Sequence, residues 1–147
     1  MATERALEVL KARAGLELGD AARVFADAAR LQAERDEAAR RIGQACRASQ
    51  EELQRLAGGG PINLATYELV RRIGQSDRQR LREAQAELST AEAALEQARL
   101  DVGRLRLQER GLGQAIDRLR KAARDEHEAR AQATLDDLWL QQTWRLG

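Results

Sequence analysis

The residue types best suited to chemistry are few in this chain, and their spacing works against them. His127 is the single histidine and stands between Glu126 and Glu128, the raw material of a metal site or a general acid–base pair. Consecutive residues on a helix point to different sides, so neither carboxylate can share a ligand or a proton with the imidazole. No second His and no Cys lies nearby, so no metal ligand is expected. Cys46 is the only cysteine, cannot form an internal disulfide, and fits a reducing compartment. Gly103 and the run Gly111-Leu112-Gly113 suggest a phosphate-cradling loop only superficially. Such a loop needs a preceding strand and a following Lys-Ser/Thr, and neither is present. These glycines instead loosen a helix, at about 1 kcal/mol each relative to Ala, and a bend near Gly111 and Gly113 is expected. The carboxylates are spread over helix surfaces with no cleft to pair them or shift their pKa values. The sequence therefore predicts no catalytic residue, no cofactor and no enzyme.

What must be explained is the scaffold. Of 147 residues, 28 are Ala, 21 Leu, 23 Arg, 15 Glu and 2 Lys. Together they make up about 61% of the chain, above the roughly 50% that marks long helices and coiled coils. Alanine supplies so much of the apolar content that the large apolar side chains can line a seam but not fill a globular core. One Phe, one Tyr and one Pro argue against strands. Charge is high but balanced, 25 bases against 24 acids, whereas nucleic-acid binding calls for a basic excess or stripe. No run approaches the length and apolarity of a membrane span, and Glu4, Arg5 and Glu8 occupy the stretch where a signal peptide needs apolar residues. A cytoplasmic location is expected.

One punctuation mark divides the chain: Gly58-Gly59-Gly60-Pro61-Ile62-Asn63. Three glycines do not hold a helix cheaply, and Pro61 lacks the amide that would continue one. Either Asn63 caps the second helix or Pro61 occupies its first turn. The expected fold is all-α, one two-helix antiparallel coiled-coil hairpin over residues 1–147. It has a helix over about 3–57, a turn over 58–63 and a longer C-terminal helix over about 64–146.

Steps of four and three on the first arm land on Leu7, Lys11, Ala14, Leu18, Ala21, Phe25, Ala28, Gln32, Arg35, Ala39, Ile42, Cys46, Ser49, Leu53 and Leu56. Eleven of these fifteen are apolar, an interrupted seam. The second arm is cleaner, with Leu81, Ala84, Leu88, Ala91, Leu95, Ala98, Val102 and Leu105 in unbroken succession. Leu alternating with Ala lets two axes approach closely. The pairs Asp36–Arg40, Glu37–Arg41, Glu51–Arg55 and Asp117–Lys121 add local support. Folding about Gly60 sets position i opposite roughly 121 − i, so Phe25 meets the neighbourhood of Leu95 and Leu53 that of Tyr67. The first arm, ~80 Å at 1.5 Å per residue, is exhausted near residue 118, against ~125 Å for the second. Charges enter the second seam at that point: after Leu112, Ile116, Leu119 and Ala123 come Glu126, Arg130, Ala133 and Asp137.

The unpaired end does not stay polar. Leu135, Leu138, Trp139, Leu140, Trp144 and Leu146 fall within twelve residues and include both tryptophans. At 100° per residue, Leu135, Leu138, Trp139 and Leu146 share one face, and Leu140 and Trp144 lie roughly opposite. A helix apolar on two opposite sides is normally surrounded, and exposed aromatic patches mark partner surfaces.

The order of features resembles that of a known family. Ala6-Leu7-Glu8-Val9-Leu10 and Asp20-Ala21-Ala22-Arg23 open the chain. A Gly-rich turn precedes Tyr67-Glu68-Leu69-Val70, and Leu135-Asp136-Asp137-Leu138-Trp139 closes it before an Arg. Over its whole length the chain is similar to the small stalk proteins of type III secretion systems, the flagellar FliJ proteins and their injectisome counterparts of the YscO and HrpO kind. The resemblance implies a non-enzymatic central stalk, similar in shape to the γ subunit of rotary ATPases. In that picture both termini sit in a hexameric export ATPase, and the remainder reaches toward a membrane export gate. Some members also handle substrate chaperones, and contact with the membrane is only through partners. Leu135, Leu138, Trp139, Leu140 and Trp144 would then be gripped by the ATPase. Flagellar members carry aromatic residues on both arms near the turn for gate contact. Here the first arm offers Ile42, Ala45, Cys46 and Ser49, and only Tyr67, Leu69 and Ile73 match on the second. The resemblance thus leaves the flagellar and injectisome branches open. The alternative reading is a generic homodimeric coiled-coil scaffold or adaptor.

Overall fold

The computed structural model describes residues 2–61 and 63–146; Met1, Gly147 and Ile62 of the expected turn lie outside the described residues. The fold is an all-α helical hairpin. Helix α1 spans Ala2–Gly58 (57 residues) and α2 spans Leu64–Leu146 (83 residues), with no strand among the described residues.

The connection owes its form to its residue types. Gly60 has φ +103°, a left-handed conformation that side chains with a Cβ rarely adopt. Asn63 rather than Pro61 starts α2. Its Oδ1 accepts from the amides of Ala65 (3.1 Å) and Thr66 (3.3 Å), and its carbonyl accepts from Tyr67 N at 3.0 Å. This side-chain cap satisfies amides that have no partner within the helix.

The chain packs as two compact units. One is Asp20–Val102; the other is Met1–Gly19 with Gly103–Gly147. In the Asp20–Val102 unit the buried residues are small: Gly74, Ala39, Ala84, Ala91 and Ala98, with Val102 at the end. Leu81, Leu88 and Leu95 between the alanines are half-buried. The alanines of α2 let α1 approach, and the leucines close over the sides of the contact. A Cβ added to Gly74 would lie 3.6 Å from Ser49 Cβ, and one on Gly43 would lie 3.9 Å from Leu81. Arg35 donates to Glu87 at 3.0 Å and Ser49 to Asp77 at 3.3 Å across the same interface.

In the second unit Ala14, Leu105 and Ile116 are buried. Glu109 faces Gly15, and Lys11 lies 3.6 Å from a Cβ built on Gly113. Every seam position of the first arm is at least half-buried except Lys11 and Arg35, the two longest polar chains among them. Both extend out to solvent from a seam position, as long basic side chains can.

Two expectations need correcting. Facing residues add up to 122–126 rather than 121: Arg35 with Glu87, Gly74 with Ser49, Gly43 with Leu81, Ser49 with Asp77. The register moves by about three residues, of which the extension of α1 to Gly58 accounts for one, since the helix ends Gly58 and Leu64 add up to 122. Of the expected ion pairs, Asp36–Arg40 (3.0 Å) and Glu37–Arg41 (3.4 Å) form, but Arg55 takes Glu52 instead of Glu51. Three residues apart, Glu52 offers both oxygens to the guanidinium fork. No ion pair joins Asp117 to Lys121. Helix α2 also runs through Gly103, Gly111 and Gly113 as one continuous helix.

The same fork recurs at Glu68–Arg71 and Glu96–Arg99. In each pair the hydrogen bond from Arg holds the Glu carboxyl below the usual glutamate range. A carboxylate with a depressed folded-state pKa contributes stability that is complete above its unfolded value and is lost as pH falls through the folded one. At low salt, acid titration followed by circular dichroism should show a small loss of stability beginning below pH 4.5, the ordinary glutamate value. Glu52→Gln, Glu68→Gln and Glu96→Gln together should remove it. Ala91→Leu, at a site 4% exposed, should cost about 1–3 kcal/mol by overpacking the seam. Asn63→Ala should cost about 1 kcal/mol through the lost cap. Urea midpoints measure both.

Candidate interaction site at the end of helix α2

Pairing between α1 and α2 ends at a definable place. Arg120 donates through Nε to Glu4 (2.7 Å) and through an Nη to Glu8 (2.8 Å), tying the first turns of α1 to α2. The two carboxylates raise the Arg120 pKa further above its ordinary value. Ala123 is the last half-buried residue, and every residue from Arg124 to Leu146 is exposed. The sequence placed this limit near residue 118; the shifted register, together with the start of α1 at Ala2, moves it to Ala123.

Beyond Ala123 the helix is held by its own side chains and by continuity. Propagating an existing helix avoids the nucleation cost that makes short isolated helices marginal in water. Glu126 accepts from Arg130, and Gln132 donates to Asp136 at 3.1 Å. The hydroxyls of Thr134 and Thr143 bond back to the carbonyls of Arg130 (3.0 Å) and Trp139 (2.9 Å). This segment carries the apolar cluster singled out in the sequence. Trp139 is 65% exposed and Trp144 84%, and Leu135, Leu138, Leu140 and Leu146 are at least half exposed.

The cluster divides as the helical period requires. Steps of three and four carry the paired stripe of α2 through Glu126, Arg130, Ala133 and Asp137 to Leu140 and Trp144. An open groove on that side is lined by Asp137, Leu140, Gln141, Trp144 and Arg145. Leu135, Leu138, Trp139 and Leu146 occupy the other side. Indole rings combine large apolar area with few rotatable bonds, so both faces are suited to a partner that encloses the helix.

Tyr67, Leu69 and Ile73 are not brought together as one patch. Leu69 (59% exposed) and Ile73 (47%) share a face one turn apart, while Tyr67 is half-buried on the seam. Sequence reasoning missed the Arg120–Glu4–Glu8 cluster, in which Arg120 lies more than a hundred residues from both carboxylates, and the exposed Val9, Leu16, Leu100 and Leu107. Spacing by sevens (Val9 with Leu16, Leu100 with Leu107) was the available signal for the latter.

Among the described residues no group of three His, Cys, Asp or Glu side chains is arranged to hold a metal ion. No helix of the described residues is long and apolar enough to cross a membrane. Compared with protein-family models, curated proteins and solved structures, the chain matches none.

Because residues after Arg124 bury nothing against α1, a chain ending there should keep its thermal midpoint in dilute solution. Only the helical signal should drop, in proportion to the residues removed. A fall in midpoint would show that the segment contributes to the pairing.

Proposed function

We propose that the chain is the non-enzymatic central stalk of a type III protein export apparatus, flagellar or injectisome, working in the cytoplasm. Its partners are the hexameric export ATPase, bound through the chain's termini, an export-gate membrane protein, and in some systems substrate chaperones. One observation carries the reading: the end of α2 has no partner among the described residues, yet bears large apolar side chains on two opposite faces. A ring that closes around a helix offers apolar walls on all sides, whereas a flat docking surface covers only one. Leu135, Leu138, Trp139, Leu140 and Trp144 are the contacts assigned to the ATPase. Leu69 and Ile73, exposed on one face, are assigned to the gate, and Tyr67, half-buried on the seam, is the remaining gate candidate.

The decisive measurement is turnover and hexamer formation of the cognate ATPase with and without this protein. Addition should stimulate turnover. Trp139→Ala with Trp144→Ala should reduce the stimulation by at least about tenfold, since interface tryptophans typically contribute about 2 kcal/mol or more each. Stimulation unchanged by the double substitution would remove this reading.

A further inference from the structure

Charge is segregated along α2 beyond Val102, as it also is over Arg71–Asp101, but beyond Val102 most of the charges stay unpaired. From Gly103 to Arg124 there are seven basic residues and two carboxylates, Glu109 and Asp117. From Asp125 to Leu146 there are five carboxylates and two arginines. Elsewhere the arginines mostly find a carboxylate three or four residues away, as at Arg71 with Glu68 and Arg99 with Glu96. Here they do not. Arg104, Arg106, Arg110, Arg118, Lys121 and Arg124 make no ion pair among the described residues, whose ion pairs in this stretch involve Arg120 alone. Across the sign change, Asp125, Glu128, Asp136 and Asp137 likewise make none, and only Glu126 is paired, with Arg130.

The basic stretch also has room for another helix. Leu107 is 68% exposed, and a Cβ added to Gly103 or Gly111 on either side of it would meet nothing within 4 Å. Apolar residues flanked by open glycines and rimmed by unpaired arginines complement an apolar helix rimmed by unpaired carboxylates. The exposed end of α2 is such a helix.

We propose that the protein self-associates as an antiparallel pair of α2 helices centred on the Arg124–Asp125 sign change, each copy's acidic end lying on the other's basic stretch. The arrangement is isologous and closes on itself, so it makes a dimer and not a filament. Residues equidistant from the sign change face each other: Glu128 meets Lys121, Trp139 meets Arg110, and Leu138 meets the open Gly111. The indole–guanidinium pair gains a cation–π contact, and both sets of unpaired charges find partners. Each apolar end is covered on one side in this state, so the dimer competes with any partner that encloses the end.

The test is sedimentation velocity of the full chain over a wide micromolar range at low salt and at about 1 M salt, where the screening length falls to about 3 Å. Concentration-dependent dimerisation at low salt, weakened at least about tenfold at high salt, is expected. Asp136→Lys with Asp137→Lys should abolish it, as should Arg106→Glu with Arg110→Glu. An equimolar mixture of the two reversed chains should dimerise, because each end then meets a stretch of opposite sign. Circular dichroism confirms that the reversed chains, altered only at exposed positions, stay helical. A monomer at every concentration overturns the proposal, as does a dimer indifferent to salt and to both reversals, or a mixture that stays monomeric. No ATPase is present, so the outcome is independent of the stalk reading.

Discussion

Close approach of two backbones, made possible by small side chains, is the constraint on which the remaining features rest. Buried alanines at 84, 91 and 98 and the buried Gly74 keep α1 near α2, and the flanking leucines gain their contact area only because the axes are close. Once the spacing is set, register is set with it. Gly43 accepts Leu81, Gly74 accepts Ser49, and Arg35 reaches Glu87. The point where pairing ends is then determined by how many residues α1 supplies.

Electrostatics plays a secondary part in holding this arrangement and a larger one in directing contacts. The Glu–Arg forks at 52/55, 68/71 and 96/99 lie on solvent-exposed surface, where screening limits their worth. They support helices that packing already specifies. Arg35–Glu87 and Arg120 differ in kind, because they join the two helices; Arg120 reaches from α2 to two carboxylates of α1. On either side of Arg120, most cations and anions of α2 from Arg104 to Asp137, Glu126 and Arg130 excepted, make no ion pair among the described residues and become available to a second molecule.

Much of the architecture was legible because it is periodic. The glycine run and Pro61 marked the break, and alternating steps of three and four named the buried alanines and Val102 but missed Gly74 and included Lys11 and Arg35, which are exposed. Asn63 was named as a possible cap on residue type alone. The register was misjudged because a sequence shows where a helix is interrupted but not which residue of the interruption is its centre. The choice of Glu52 over Glu51 by Arg55 escaped for a similar reason: both spacings are allowed, and the bidentate geometry decides. Among the candidate site residues, the apolar end of α2 was readable from composition and the helical period. The separation of Tyr67 from Leu69 and Ile73 was not, since it depends on where the seam runs through the first turns of α2. The cluster of Arg120 with Glu4 and Glu8 links positions that only the folded hairpin brings together.

Among the described residues no polar or charged residue is buried, and no side chain is enclosed completely. Every position is therefore within one side chain of water, and the molecule has no interior in the sense that a globular domain has one. Substitutions at most positions trade one hydrated side chain for another, so the sequence is free to drift under selection, provided a handful of alanines and glycines stay small. A lineage of such chains would keep its spacing long after it had lost its letters.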